Sequence, residues 1–319
     1  MISWTGVPRV VLFDTPTPVE EMTRLRAALG GGPRLLVKRD DAIPFAFGGN
    51  KARKLEPVLA AALEADADTL VTVGGLQSNH ARVTAAAAAR CGLRCHLIIN
   101  GTKPDRPTAN ALLDQLLGAD IEYIATRDDR SAATRATMDR LLAAGRRPYE
   151  IPLGASNSLG ACGFVRAVGE LLEQIPAPDV IVHASSSAGT QAGLVAGCAI
   201  HGVATRVVGV SADDPAPSIA GKVREIVSGI GEMLEAGEGP PARDSVVVDD
   251  SFVGGGYGVP TAASQEAQRL AARGDVLFVD HTYTAKALAA LIAYVRAGRF
   301  DDEETVLFWH TGGQVGLFA

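Results

Sequence analysis

The chain has 319 residues, 47% of them hydrophobic and 5% aromatic, with a formal net charge of −6. That length suits two cores better than one, and a mix poor in aromatics and rich in Ala and Gly suits helix-on-sheet packing more than a β-sandwich. The acidic balance gives no general attraction to nucleic acid or anionic membrane, so any anion must be held by a local site.

The first ten residues, with Trp4, Pro8 and Arg9, do not read as a signal peptide. No run approaches 18 apolar residues, so no membrane span is expected. Cys91, Cys95, Cys162 and Cys198 form no CxxC pair and have no histidine at zinc-ligand spacing. They read as reduced thiols of a cytoplasmic protein without a metal site.

Repeated βα units follow. Residues 34–38 read as a strand. A Gly-Gly turn leads into a helix over 51–65 with Leu55, Val58, Leu59 and Ala62 on one face, where Pro57 marks a kink or a later start. Strands over 69–73, 94–99, 121–124 and 148–152 alternate with helices over 78–90, 109–117 and 130–144. A turn region over 154–160 precedes a helix over 163–174, a strand over 180–183, a helix over 188–200 and a strand over 206–210. Residues 237–241 (GEGPP) are the most loop-like segment and read as an insertion. Helices over 264–272 and 284–297 and a strand over 306–309 end the chain. Alternation of this kind predicts an α/β protein with parallel sheets covered on both faces. Ligands in such sheets bind beyond the carboxyl ends of strands, which directs attention to the loops after Val73, His183 and Trp309.

Four segments carry candidate chemistry. Gly48-Gly49-Asn50-Lys51-Ala52-Arg53-Lys54 puts three cations in the first turn of a helix. The helix dipole disfavours each there by roughly 0.3–1 kcal/mol. The turn is either a solvated basic surface or the neighbour of a bound anion, and its paired glycines point to a close backbone approach. Ser185-Ser186-Ser187-Ala188-Gly189-Thr190 lies between a strand and a helix. Exposed N–H groups at such a turn suit a phosphate, whereas a simple Ser cap needs only one of these residues. Neither a P-loop nor a dinucleotide fingerprint is present. In Gly74-Gly75-Leu76-Gln77-Ser78-Asn79-His80, Ser78 can cap the next helix, while Gln77 and Asn79 add donors suited to a carboxylate. His310-Thr311-Gly312-Gly313 follows the last strand. Tyr257 and Tyr283 each read, alone, as packing residues.

Together these segments resemble the family that contains D-cysteine desulfhydrase, 1-aminocyclopropane-1-carboxylate deaminase and L-cysteate sulfo-lyase. The resemblance runs nearly end to end: Thr15-Pro16-Thr17-Pro18, Lys38-Arg39-Asp40-Asp41, GGNKARKLE at 48–56, QSNHAR at 77–82, residues 151–163, AGTQAGL at 188–194, YGVP at 257–260, residues 283–287 and HTGG at 310–313. It implies the two-domain, tryptophan-synthase-like fold type II. A large cofactor domain of residues 1–50 plus 163–319 would enclose a small domain of 51–162. It implies pyridoxal 5'-phosphate in a Schiff base with Lys51, its phosphate held by Lys54 and by Ser187, Ala188, Gly189 and Thr190. Asn79 would meet the cofactor's phenolic oxygen, Ser78 the substrate carboxylate, and Gln77, Thr311 and Gly312 the rest of the substrate. Tyr257 and Tyr283 would line the pocket and assist proton transfer, and Thr284 would stand near the pyridine nitrogen. A homodimer is implied.

Within the family, cyclopropane deaminases carry Glu where this chain has Thr284 and Leu where it has Thr311, and desulfhydrases have hydroxyl residues there. A neutral hydroxyl leaves the ring a weaker electron sink, which suits β-elimination of a good leaving group. The expected reaction is D-cysteine to pyruvate, sulfide and ammonia, with L-cysteate and 1-aminocyclopropane-1-carboxylate as alternatives. A β-replacing synthase and a catalytically silent cofactor carrier are the rivals. Ser186 and Ala155 replace glycines, Phe164 a tyrosine and His281 a proline usual in the family, and residues 100–110 are shortened. Residues 183–184 and 254–257 are similar to the cysteate lyases.

Overall fold

A computed structural model describes residues 3–234 and 246–319. The segment expected as an insertion, 237–241, lies outside the described residues. Strands β3 (Thr69–Gly75), β4 (Arg94–Asn100), β5 (Asp120–Ile124) and β6 (Pro148–Ile151) form an all-parallel sheet in the order β5-β4-β3-β6. Helices α3 (Asn79–Arg90), α4 (Ala109–Leu116) and α5 (Arg130–Ala143) connect them. The second sheet runs β1 (Val19–Glu21), β2 (Arg34–Arg39), β10 (Thr305–His310), β7 (Val180–Ser185), β8 (Arg206–Ser211), β9 (Val247–Asp249). All its pairs are parallel except β1 with β2. This edge departs from the purely parallel expectation; residues 22–33, which include α1 (Thr23–Ala28), turn the chain back along β1.

Both faces of the larger sheet are covered. Along β10, Val306 and Phe308 face the core of α9 (Ala262–Gly274) and α10 (Thr284–Arg296), while Leu307 and Trp309 face α6 (Ser158–Gln174), α7 (Gly189–Ile200) and α8 (Ala216–Met233). That is the two-residue alternation of a strand buried on both sides. Helix α8 was not expected from the sequence. Its apolar positions Ile219, Val223, Ile226, Val227 and Ile230 have helical spacing, but Gly221 and Gly229 dilute the pattern. Among the described residues no helix is long and apolar enough to cross a membrane.

Helix α2 (Asn50–Glu64) runs unbroken through Pro57. Pro57 has no N–H for the carbonyl of Arg53. That carbonyl faces α6 instead, where a Cβ on Gly163 would lie 2.0 Å from Arg53 O. Helix α6 starts at Ser158, earlier than expected, because the Asn157 side chain accepts from Gly160 N at 2.8 Å. The domain boundary expected at 162/163 falls inside this helix.

One of the three cations in the first turns of α2 is structural. Arg53 donates to both carboxylate oxygens of Asp40 (2.8–3.0 Å) and to Glu170 Oε2 (2.8 Å). Lys38 Nζ donates to Glu170 Oε1 (2.6 Å), and Trp309 Nε1 to Asp40 Oδ2 (2.8 Å). This buried network ties β2, α2, α6 and β10 together with every charge paired, the condition under which buried ions are tolerated.

Candidate active site

The strands of both sheets end at one cavity of about 240 Å³. Strand order reverses there in each sheet: β6 flanks β3 opposite β4, and β10 flanks β7 opposite β8. Such switch points open a crevice at the carboxyl ends. The loops singled out after β3, β7 and β10 all reach it: Gly75, Ser78 and Asn79 from the first, Ser185, Ser186, Ser187, Ala188 and Thr190 from the second, Thr311 and Gly312 from the third.

Lys51 lies on the cavity wall and its Nζ donates to Asn50 Oδ1 at 3.1 Å. Removal from water, then the Arg82 guanidinium, lower its pKa to about 8. Asn50 Nδ2 in turn donates to Thr190 Oγ1 at 2.9 Å, linking α2 to the Ser turn. The paired glycines of the GGNK turn do approach backbone closely. Gly48 packs on Asp41, whose O would lie 2.3 Å from a Cβ there, and Gly49 on the Thr311–Gly312 segment, where a Cβ on Gly49 would lie 3.1 Å from Thr311 O and one on Gly312 2.6 Å from Gly49 Cα.

Ser78 caps α3, accepting from Ala81 N at 3.2 Å, which leaves its hydroxyl proton free on the cavity wall. Asn79 Oδ1 accepts from Arg82 Nη1 (3.2 Å) and Asn110 Nδ2 (3.0 Å), so its amide N–H groups are the part left to the cavity. Thr72 Oγ1 donates to Ile151 O at 2.7 Å, so His80 Nε2 donates to Thr72 and His80 Nδ1 stays without a partner. Tyr257 and Tyr283 pack edge-to-face with ring centroids 5.6 Å apart and share a hydrogen bond between their hydroxyls. Burial raises both phenol pKa values, so both are neutral proton donors at neutral pH.

Several expected contacts are absent. Gln77 does not line the cavity: its side chain accepts from Asn110 N (2.9 Å) and donates to Thr108 O (3.3 Å), holding the shortened 100–110 segment. Gly189 does not line it either. Its N–H donates to Ser187 O at 2.9 Å because Ala188 adopts a left-handed φ of 70° and closes a γ-turn. Thr284 is fully buried, its hydroxyl donating to Asp280 Oδ1 (2.7 Å) and accepting from Asp280 N (2.9 Å). Lys54 sits behind the wall, its Nζ donating to Ser156 Oγ at 2.9 Å, which bonds Ser187 Oγ at 2.8 Å. Of the two positions read as lost glycines, Ala155 has a left-handed φ of 49°, whereas Ser186 does not; Ala188 carries the strain in that turn.

The family described as pyridoxal-phosphate dependent enzyme matches residues 10–312. The chain belongs to that family. A solved structure of an ACC deaminase homologue is 32% identical, covering 98% of this chain and 94% of that chain with a TM-score of 0.89. A pyridoxal 5'-phosphate-dependent aspartate racemase (18% identity, 94% and 90% covered, TM-score 0.71) and maize serine racemase (21%, 94% and 88%, 0.69) share the fold. This pyridoxal-phosphate enzyme thus has the fold type II architecture.

The residues present fit the cofactor. Lys54 is a fully buried cation with no carboxylate partner among the described residues, and burial drives its pKa well below the usual value. Ser185 Oγ, on the cavity wall, is buried without a hydrogen-bond partner. An unpaired cation beside unsatisfied donors is costly unless an anion joins them. Ser156, Arg82, Asn110 and Asp280 were not found from the sequence. Arg82 carried a signal, the i, i+3 spacing from Asn79 on one helix face; Ser156, Asn110 and Asp280 carried none.

Proposed function

We propose that this enzyme catalyses β-elimination from a small β-substituted sulfur amino acid, with D-cysteine yielding pyruvate, sulfide and ammonia. The observation that carries the reading is Lys51: an amine of lowered pKa on a cavity wall between the Ser185–Thr190 turn and the Ser78–Asn79 loop. Lys51 would bind the aldehyde of pyridoxal phosphate, with Ser185, Ser187, Thr190 and the Lys54 charge behind them holding its phosphate and Asn79 Nδ2 its phenolic oxygen. When bound, the cofactor supplies a conjugated ring that withdraws electrons from the substrate's α-carbon. Ser78 Oγ donates to the substrate carboxylate and orients the α-hydrogen towards Lys51. The Lys51 Nζ amine would remove that proton, a task suited to an amine with pKa near 8. The Tyr257–Tyr283 pair gives a proton to the departing sulfur. One of its two hydroxyl protons is committed to the pair and the other is available. Thr311, which lines the cavity where cyclopropane deaminases carry Leu, supports elimination over ring opening.

One observation favours L-cysteate as a second reading. Arg130 lines the cavity, donates Nε and Nη2 to the single acceptor Asn100 Oδ1, and has no carboxylate at ion-pair distance among the described residues, with Asp213 facing the same space. A β-sulfonate would meet that guanidinium and leave as sulfite.

Keto-acid release from D- and L-cysteine, L-cysteate, β-chloroalanine and 1-aminocyclopropane-1-carboxylate tests both readings. Release from D-cysteine, lost in Lys51→Ala, supports the first. L-cysteate turnover that falls roughly ten- to hundredfold in Arg130→Ala, the loss of one charge-assisted contact, supports the second. Bound cofactor with no turnover of any of them would leave a silent carrier. Sedimentation tests the dimer implied by the resemblance.

A further inference from the structure

Lys286 has no part in the chemistry described above, yet its position is unusual. It lies in the first turn of α10, the end of a helix that disfavours a cation. It is 1% exposed and has no carboxylate at ion-pair distance among the described residues. Its three N–H groups instead donate to three backbone carbonyls: Ala212 O (3.1 Å), Val253 O (2.8 Å) and Gly256 O (2.8 Å). An ammonium has three donors and all are used. A buried cation bonded to carbonyl dipoles, with the Asp213 and Asp280 carboxylates acting on it only from beyond ion-pair distance, is costly, and the segments it joins explain its use.

Ala212 directly follows β8, donates its N–H to Ser185 O at 3.1 Å, and precedes Asp213 on the cavity wall. Val253 and Gly256 belong to a segment with no helix or strand, in which Gly254, Gly256 and Gly258 all have positive φ. That segment carries Tyr257, whose side chain is 47% exposed overall but turns its hydroxyl inward and its ring edge-to-face onto Tyr283. Two contacts fix it: the hydroxyl bond to Tyr283, which is the N-cap of α10, and the grip of Lys286 on the preceding carbonyl, from the same helix end.

We infer that Lys286 is a positioning residue, a tethered monovalent cation that clamps the glycine-rich 253–256 segment to the end of β8 and thereby sets Tyr257 over the cavity. Removing the side chain leaves three converged carbonyl oxygens, a cage suited to free potassium or ammonium. The inference rests on the reading of this cavity as the active site, and its test includes an arm that needs no substrate.

The substrate-free arm is thermal melting of Lys286→Ala in potassium or ammonium chloride against choline chloride at equal ionic strength. Potassium or ammonium should raise the melting temperature of the variant by several degrees, saturably, and leave the parent protein unchanged. In the activity arm, Lys286→Ala in choline should lose keto-acid release and regain most of it with ammonium. Combined with Tyr257→Phe it should cost little beyond Tyr257→Phe alone, a coupling of roughly tenfold, within the range for residues that share one network. If Lys286→Ala fails to fold, Lys286→Ser, which leaves the same three carbonyls open to a cation, replaces it in both arms. Melting indifferent to the cation, or additive effects of the two substitutions, overturns the clamp. Absence of turnover in the parent protein with the cation-dependent melting intact would instead overturn the functional reading and leave the clamp standing.

Discussion

Replacing Lys54 by methionine separates holding a phosphate from holding the fold. The Lys54 ammonium is fully buried, and among the described residues it has one hydrogen bond, to Ser156 Oγ at 2.9 Å, and no carboxylate partner. A buried ion carries an effective desolvation penalty of several kcal/mol that an apolar group of similar size does not, so the cofactor-free variant should melt higher than the parent, by about 1.5 °C for each kcal/mol relieved in a chain of this length. Affinity for pyridoxal phosphate should move the other way. Loss of one charge-assisted contact weakens binding by about 1.5–3 kcal/mol, or roughly ten- to hundredfold in Kd. A pH effect accompanies this. Burial, and then Lys51, lower the folded pKa of Lys54 below its ordinary 10.5. Between those two values the unfolded chain binds more protons, so cofactor-free stability rises with pH across that interval, and the rise should shrink in Lys54→Met. Calorimetry of the cofactor-free protein and titration with pyridoxal phosphate followed by visible absorbance measure both effects. A variant that is destabilised without cofactor and binds it with unchanged affinity would refute the reasoning, because Lys54 would then be a structural cation.

The lowered pKa of Lys51, about 8, predicts that the rate of covalent cofactor capture rises with pH through a midpoint near 8. A midpoint near the ordinary 10.5, seen by rapid-mixing absorbance, would count against the burial of its amine. Gly163→Ala would put a Cβ 2.0 Å from Arg53 O, and the two helices must part at a cost of about 3 kcal/mol, read from urea unfolding. Asp40→Asn removes the carboxylate that pairs Arg53, and stability should fall by about 3–5 kcal/mol in the same assay. Burial alone would raise the Glu170 pKa, but Arg53 and Lys38 overcome it and bring it to about 2. Its contribution should therefore be complete above 4.5 and lost as pH falls through about 2, which acid titration of Glu170→Gln against the parent would detect as a flatter profile.

Most of the architecture was legible because strand and helix periods are local. The alternation through 69–210 and the loops after Val73, His183 and Trp309 needed only hydrophobic patterning and the rule about strand ends. Ser78, Asn79 and the Ser185–Thr190 turn were legible for the same reason, since each lies at such an end, whereas Lys51 was marked by three cations and paired glycines at a helix start. Helix α8 and the true start of α6 were not, because glycines inside them look locally like breakers, among them Gly163, which packs α6 on α2. The fate of each polar side chain was decided by what the fold brings to it. Arg53 and Lys54 are neighbours in one helix turn, yet Arg53 meets Asp40 and Glu170 while Lys54 meets only Ser156. Gln77 was drawn away by Asn110, and Thr284 by Asp280. Sequence spacing placed donors and cations at the mouth of the sheets through local backbone geometry. Which of them remained unsatisfied, and so available to a ligand, depended on partners distant in the chain that only tertiary packing brings within hydrogen-bond reach.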